Sequence, residues 1–266
     1  MLILLSPAKT LDLDSPPRIA ETTEPAFLES SDALVRTLRR YSAPRLANLM
    51  NISDALATLN RDRFRNWRPE HEGSEVRPAI QAFRGDVYVG LDADTLSAAD
   101  LDFAQGRVRI LSGLYGVLRP FDRMRAYRLE MGTRLPTRRG KTLYDFWGDR
   151  VAQAIDEEAS SMGDAPVVNL ASKEYSRVVD GFAMTLPVVT PVFHDEKNGD
   201  YRIISFFAKK ARGALARHLV QERTTSREAI RDFTALGYRY SKRESSDAVP
   251  VFRRSEKAAA PFLAAG

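Results

Sequence analysis

The chain opens on an unbroken apolar run, Met1 to Leu5, halted by Ser6-Pro7. A run so short predicts a strand buried on both faces. Further on the spacing changes. Leu34, Val35 and Leu38, then Leu46, Leu49 and Met50, then Leu56, Leu59 and Phe64 recur three and four apart, which predicts a helical block of three short helices at about 26–68. Pro44 suits the first turn of the second helix and Ser53-Asp54 the cap of the third. Gly85-Asp-Val-Tyr-Val-Gly90 alternates as a half-buried strand does, and Val108 to Leu111 repeats that pattern after a helix at 97–105. Glycines and prolines then crowd 113–141, predicting a long irregular loop. Leu143 to Ser161 reads as helix and Pro166 to Leu170 as a buried strand. Val188 to Phe193 and Tyr201 to Phe207 flank Asp195-Glu-Lys-Asn-Gly199, where Asn-Gly suits a hairpin turn. Ala208 to Glu222 and 226–234 read as helices, 238–240 and 249–252 as late strands. Residues 11–26, with Pro16, Pro17 and Pro25, read as a surface arm.

Strands interleaved with helices place the fold in the α/β class, as a single compact mixed-sheet domain over 1–254 with the helical block inserted. The Ala-rich residues 255–266 read as a frayed tail.

Composition narrows the chemistry. The 266 residues contain no Cys and three His, at 71, 194 and 218. Disulfides, thiolate metal sites and a cysteine nucleophile are thereby excluded, and no cofactor or metal is expected. No apolar run reaches the roughly 18 residues of a membrane helix, and Met1 to Leu5 lacks a basic leader, so a cytoplasmic protein is expected, as a monomer and without a membrane partner. Asp145, Asp149, Glu130 and Glu174 are candidates for acid–base or metal work, although spacing alone does not gather them, and salt bridges are their default. His194-Asp195-Glu196 reads as the edge of a hairpin.

The net charge of +5 is unevenly spread. Residues 1–35 carry −4, whereas 36–68 and 119–141 each carry +6, with Phe64, Trp67, Phe121 and Tyr127 interleaved. Arg-rich segments beside aromatic residues suit nucleic acid, because guanidinium groups fork onto phosphates and rings stack on bases. Solvated faces paired with the acidic start of the chain explain the same runs. Ser6-Pro-Ala-Lys-Thr10 leaves the first strand with side chains able to hold a phosphate, but it lacks the glycines of a P-loop. In Leu111-Ser-Gly-Leu-Tyr-Gly-Val-Leu-Arg-Pro120 the glycines permit tight turns around Tyr115. Leu46 to Arg63, two helices joined at Ile52-Ser-Asp54, has the outline of a helix-hairpin-helix element with Ser-Asp in place of Gly-x-Gly.

These words, with Tyr127-Arg-Leu-Glu-Met-Gly132, Phe146-Trp-Gly-Asp149, Asn169-Leu-Ala-Ser172, Glu174-Tyr175, Asp195-Glu-Lys-Asn-Gly199 and Phe207-Ala-Lys-Lys-Ala-Arg-Gly213, resemble the YaaA peroxide-stress family from residue 1 to about 254. The resemblance implies a bacterial protein of the hydroperoxide response that helps limit free intracellular iron and protects DNA and proteins from oxidative damage. It further implies an unusual α/β topology with a helix-hairpin-helix-like element and a basic cleft for double-stranded DNA. It supplies no established catalytic reaction or catalytic residue. On this reading the cleft carries Lys9, Ser112, Arg119, Arg128, Lys209, Lys210 and Arg212, with Arg61, Arg63 and Arg65 on the helical block. Tyr115, Tyr127 and Trp147 are then placed to reach an unstacked base of a bulged or distorted duplex. The rival expectation is an enzyme acting on a nucleotide or nucleobase, with Ser6, Lys9, Ser112, Tyr115, Glu130, Asn169, Ser172 and Tyr175 in one pocket at the strand ends.

Overall fold

The structure, a computed structural model, describes residues 1–73, 75–163 and 166–263. The opening apolar run forms β1 (Leu2–Leu5), and all of its residues are buried. After β2 (Thr10–Leu11) and the proline-containing arm come α1 (Leu28–Leu38), α2 (Ala43–Met50) and α3 (Asp54–Asn66). Pro44 lies in the first turn of α2, and Asn51 ends that helix in the left-handed conformation at φ 50°. Ser53 caps α3 by accepting the Leu56 N–H. The hairpin between them is thus Asn51-Ile52-Ser53, one residue earlier than the sequence spacing placed it.

β3 (Val76–Pro78), α4 (Ala79–Ala82), β4 (Phe83–Arg84) and α5 (Asp86–Leu91) follow. Residues 85–90 are therefore helical rather than a strand. Val87, Tyr88 and Leu91 are buried and Val89 is 59% exposed, a helical face that six alternating residues could not reveal. α6 (Ala98–Arg107) starts from a capping box of Ser97 and Asp100 and runs into β5 (Val108–Ser112). The long loop contains β6 (Gly116–Leu118) and β7 (Arg123–Arg125). The helix expected over 143–161 is divided into α7 (Leu143–Trp147) and α8 (Arg150–Ser161), because Gly148 takes φ 51° and ψ −137°. β8 (Val167–Asn169), α9 (Lys173–Ser176) and β9 (Val188–Val189) lead to the hairpin of β10 (Val192–Lys197) and β11 (Asp200–Arg202), with Asn198 and Gly199 at positive φ. α10 (Ser205–Gln221), β12 (Arg239–Tyr240), β13 (Val251–Arg254) and α11 (Glu256–Leu263) complete the chain. The tail is helical as far as 263, where the sequence suggested fraying; 264–266 lie outside the described residues.

The strands make several sheets rather than one. The central sheet has the order β6-β5-β1-β8-β9, with β5, β1, β8 and β9 parallel and β6 antiparallel at the edge. A second sheet has the order β11-β10-β13-β12, and β2 pairs with β4 and β3 with β7. In the second sheet Asp195 and Arg254, both almost wholly buried, form an ion pair at 2.6 Å that also accepts the Tyr238 hydroxyl at 2.8 Å. The Arg254 guanidinium lies 4.7 Å over the Phe207 ring, which ties this sheet to the start of α10.

α10 packs backbone to backbone on α5. A Cβ at Gly90 would overlap the Lys210 carbonyl, and one at Gly213 the Val87 carbonyl. Neither neighbour is a flexible side-chain tip, so the helices must separate to admit a methyl group. Gly213→Ala is expected to lower stability by about 1–3 kcal/mol, read as a lower urea midpoint with an unchanged slope.

Candidate functional site

The parallel strands β1 and β8 lie side by side at the centre of the sheet. From β1 the chain continues to β5 on one flank, while β8 occupies the other, so the crevice outside their carboxyl ends is a topological switch point, where open α/β sheets bind ligands. The two exits are tied together. Ser172 N–H donates to Ser6 Oγ at 2.8 Å, Ser6 Oγ donates to Ser172 Oγ at 3.3 Å, and the buried Tyr88 hydroxyl donates to the Ser6 carbonyl at 3.1 Å.

A cleft of about 640 Å³ opens here, walled by residues 6–10, 84–88 and 172–175 together with Glu130, Lys209 and Arg212. Lys9 Nζ reaches Glu130 Oε1 at 3.1 Å, and Arg128 reaches the same oxygen from behind at 3.1 Å. Arg84 is held by Asp12 and Asp94, each at 3.1 Å. Glu174 accepts the Gly132 N–H at 2.9 Å. Lys209 stands 3.9 Å from Asp86, too far for a strong bond. Arg212 donates to the Ala208 and Leu170 carbonyls at 3.2 and 3.4 Å and meets no carboxylate among the described residues. Partial burial lowers its pKa from the usual arginine value, so the guanidinium stays charged but under-solvated. Burial pushes the Tyr88 and Tyr175 phenols upward, which keeps them protonated at neutral pH. Such walls bind an anion through the cations and hydroxylated groups through the carboxylates.

Of the residues expected in the rival pocket, Ser6, Lys9, Glu130, Ser172 and Tyr175 do meet at this cleft. Ser112, Tyr115 and Asn169 do not line it. Ser112 Oγ bonds the Tyr127 hydroxyl at 2.6 Å and accepts the Tyr115 N–H at 2.9 Å, and Asn169 Oδ1 accepts the Ala171 N–H at 3.0 Å. The Tyr115 oxygen accepts from Trp67 Nε1 and from the Arg125 N–H, each at 3.1 Å, and is bonded to His71 Nε2 at 2.8 Å. Trp147 Nε1 donates to the Gly113 carbonyl at 3.1 Å. Ser112, Tyr115, Tyr127 and Trp147 are thus core residues, and their expected contact with bases is corrected: they are buried and their polar atoms are already paired.

The cations of the expected DNA cleft are dispersed as well. Lys9, Lys209 and Arg212 line the switch-point cleft, but Lys210 is not among its walls. Arg119 is held by Asp122 at 3.1 Å and by the Glu24 carbonyl at 3.0 Å. On α3, Arg61 pairs with Asp62 at 2.8 Å, Arg63 is half-buried and Arg65 is exposed. Of the four candidate acids, Glu130 and Glu174 line the switch-point cleft, whereas Asp145 completes the capping box of α7 with Thr142. Among the described residues no group of three or more His, Asp or Glu is placed to hold a metal ion. Missing from the sequence reading were Arg84, Asp86, which the strand assignment hid, and Lys173, which stands between two of the motifs.

The two Arg-rich segments meet elsewhere. An open groove of about 820 Å³ lies between α1 and residues 136–139, floored in part by Phe146. Arg36 is paired with Asp32 at 3.0 Å, and Arg139 lies 5.2 Å over the Phe146 ring. The exposed side chains of Arg40 and Arg138 have no hydrogen-bond or ion-pair partner among the described residues.

Burial lowers the His71 pKa from 6.5 to about 4. The folded chain therefore holds a neutral ring that protonates more readily once unfolded. Stability is expected to be full above about pH 6.5 and to fall by roughly 2–3 kcal/mol as the pH drops toward 4, with no further loss from this group below that. Urea midpoints measured through that range should show the slope, and His71→Gln should flatten it.

The sequence matches the family described as peroxide stress protein YaaA over residues 1–244. A UPF0246 protein of Ralstonia nicotianae is 52% identical over 254 residues, covering 96% of this chain and 99% of that one. A UPF0246 protein of Burkholderia lata is 49% identical over 256 residues, covering 96% and 98%. No described helix is long and apolar enough to cross a membrane. With the match running through every segment that walls the cleft, the chain belongs to the peroxide stress protein YaaA family.

Proposed function

We propose that this chain acts in the peroxide stress response by binding double-stranded DNA through its phosphates, on the groove between α1 and residues 136–139. The observation that carries this reading is the meeting there of two basic segments roughly a hundred residues apart in sequence. Arg40 and Arg138 offer unpaired guanidinium groups on an open surface, the geometry a polyanion engages. Arg36 and Arg139 add charge at the rim, and the Arg36 pair offsets Asp32. The α2–α3 hairpin has a left-handed Asn51 where a helix-hairpin-helix element has glycine, but Asp54 in the first turn of α3 opposes a phosphate, so it is assigned a secondary part. The part in limiting free iron that the family resemblance implies is proposed together with DNA binding, in a cytoplasmic monomer.

The enzyme reading is weaker. Ser6 Oγ gives its proton to Ser172, and no His, Asp or Glu is bonded to it among the described residues, so it lacks the base that activates a serine.

Fluorescence anisotropy of a labelled duplex titrated with the full chain across salt tests the proposal. Arg40→Glu with Arg138→Glu should weaken binding to all sequences by about tenfold or more near 0.1 M salt, and should lower the log–log salt slope by roughly two. Lys209→Glu with Lys210→Glu should cost less. The opposite ranking would move the duplex to the switch-point cleft and overturn the groove.

A further inference from the structure

We propose that the switch-point cleft is a binding site for a nucleoside monophosphate, with its phosphate on Arg212, Lys209 and Lys173 and its hydroxylated ring toward Glu130 and Glu174. The inference does not depend on the DNA reading, which uses other residues.

Position supports it first. The crevice outside the carboxyl ends of β1 and β8 is where an open parallel sheet presents loops from both flanks to one ligand. Its 640 Å³ falls within the roughly 300–1,000 Å³ of small-ligand sites, and a duplex requires an open surface instead.

Charge supports it next. Arg212 is fixed by the Leu170 carbonyl at the exit of β8 and by the Ala208 carbonyl of its own helix, half-buried and with no carboxylate beside it, so its charge is oriented and uncompensated. Lys209 lies one helical turn before it on α10, and the exposed side chain of Lys173 has no hydrogen-bond or ion-pair partner among the described residues. A phosphate dianion placed among the three would supply the counter-charge that Arg212 and Lys173 lack, draw Lys209 from its long 3.9 Å contact with Asp86, and accept several charge-assisted bonds.

The carboxylates decide between a nucleotide and a bare anion. Glu130 is held by Lys9 and Arg128, and Glu174 by the Gly132 N–H. Both line the cleft, and each has a second oxygen without a partner among the described residues, which repels a second phosphate but accepts ribose hydroxyls or an amino group. A polyphosphate or an uninterrupted DNA backbone fits this mixture less well than one phosphate on a sugar.

Isothermal titration calorimetry of the full chain with the four common nucleoside 5′-monophosphates, adenosine and inorganic phosphate provides the test. At least one monophosphate should bind at one per chain, tighter than about 1 mM, with inorganic phosphate and adenosine each about tenfold weaker or undetected. Arg212→Met should weaken that binding by roughly tenfold to a hundredfold. Lys209→Met, at a half-exposed position, gives a second reading should the first variant unfold, with circular dichroism confirming the fold of both. The proposal is overturned if no monophosphate binds, if inorganic phosphate binds as tightly as all of them, or if both folded variants bind as the parent does.

Discussion

Two missing methyl groups hold the site together. Because Gly90 and Gly213 carry no Cβ, α5 and α10 meet at their backbones, and that contact places Asp86 and Tyr88 on one wall of the cleft with Lys209 and Arg212 on another. Arg254, itself locked by the buried pair with Asp195, steadies the start of α10 by stacking on Phe207. The serine pair closes the third side, joining the exits of β1 and β8. A cation that is only partly solvated, as Arg212 is, keeps its orientation only if everything around it is equally fixed.

Charge read along a sequence differs from charge presented to solvent. Segment 119–141 carries +6, yet Arg119 and Arg128 are engaged by its own Asp122 and Glu130, Arg123 by Glu24 of the arm and Arg125 by Glu75. Among the guanidinium groups that meet no carboxylate within the described residues are Arg40 and Arg138 in the groove and Arg212 in the cleft. Such exposed pairs add little stability but cancel local field, so the residual cations determine where anions are drawn.

Local signals made much of the fold legible. β1 and β8 fall in short apolar runs, β5 in an alternating one, the β10–β11 turn is Asn-Gly, and α6 begins at a Ser with an Asp three residues on. The failures share a cause. Asp86 to Leu91 is helical because one face packs on α10, a partner more than a hundred residues away that no local period encodes. The rings of Tyr115, Tyr127 and Trp147 suit stacking on unstacked bases, which points to a surface, whereas their polar tips pair internally with Trp67, His71, Ser112 and Gly113. In the cleft, Ser6, Lys9, Glu130, Ser172 and Tyr175 were foreseeable as motif members. Arg84 and Asp86 enter only through the tertiary turn that brings Gly85 beside Ala8.

The Tyr115 oxygen binds groups from three other places in the chain, the Trp67 indole, the His71 ring and the Arg125 amide. Removing it strands all three in the core, while changing a ring alone leaves the phenol short of a partner. Positions 67, 71 and 115 therefore behave as one heritable unit. Drift at any one is penalised unless the others follow, so natural variation here should arrive as matched sets, and grafting a helical block from a relative with a different set would bring the mismatch with it.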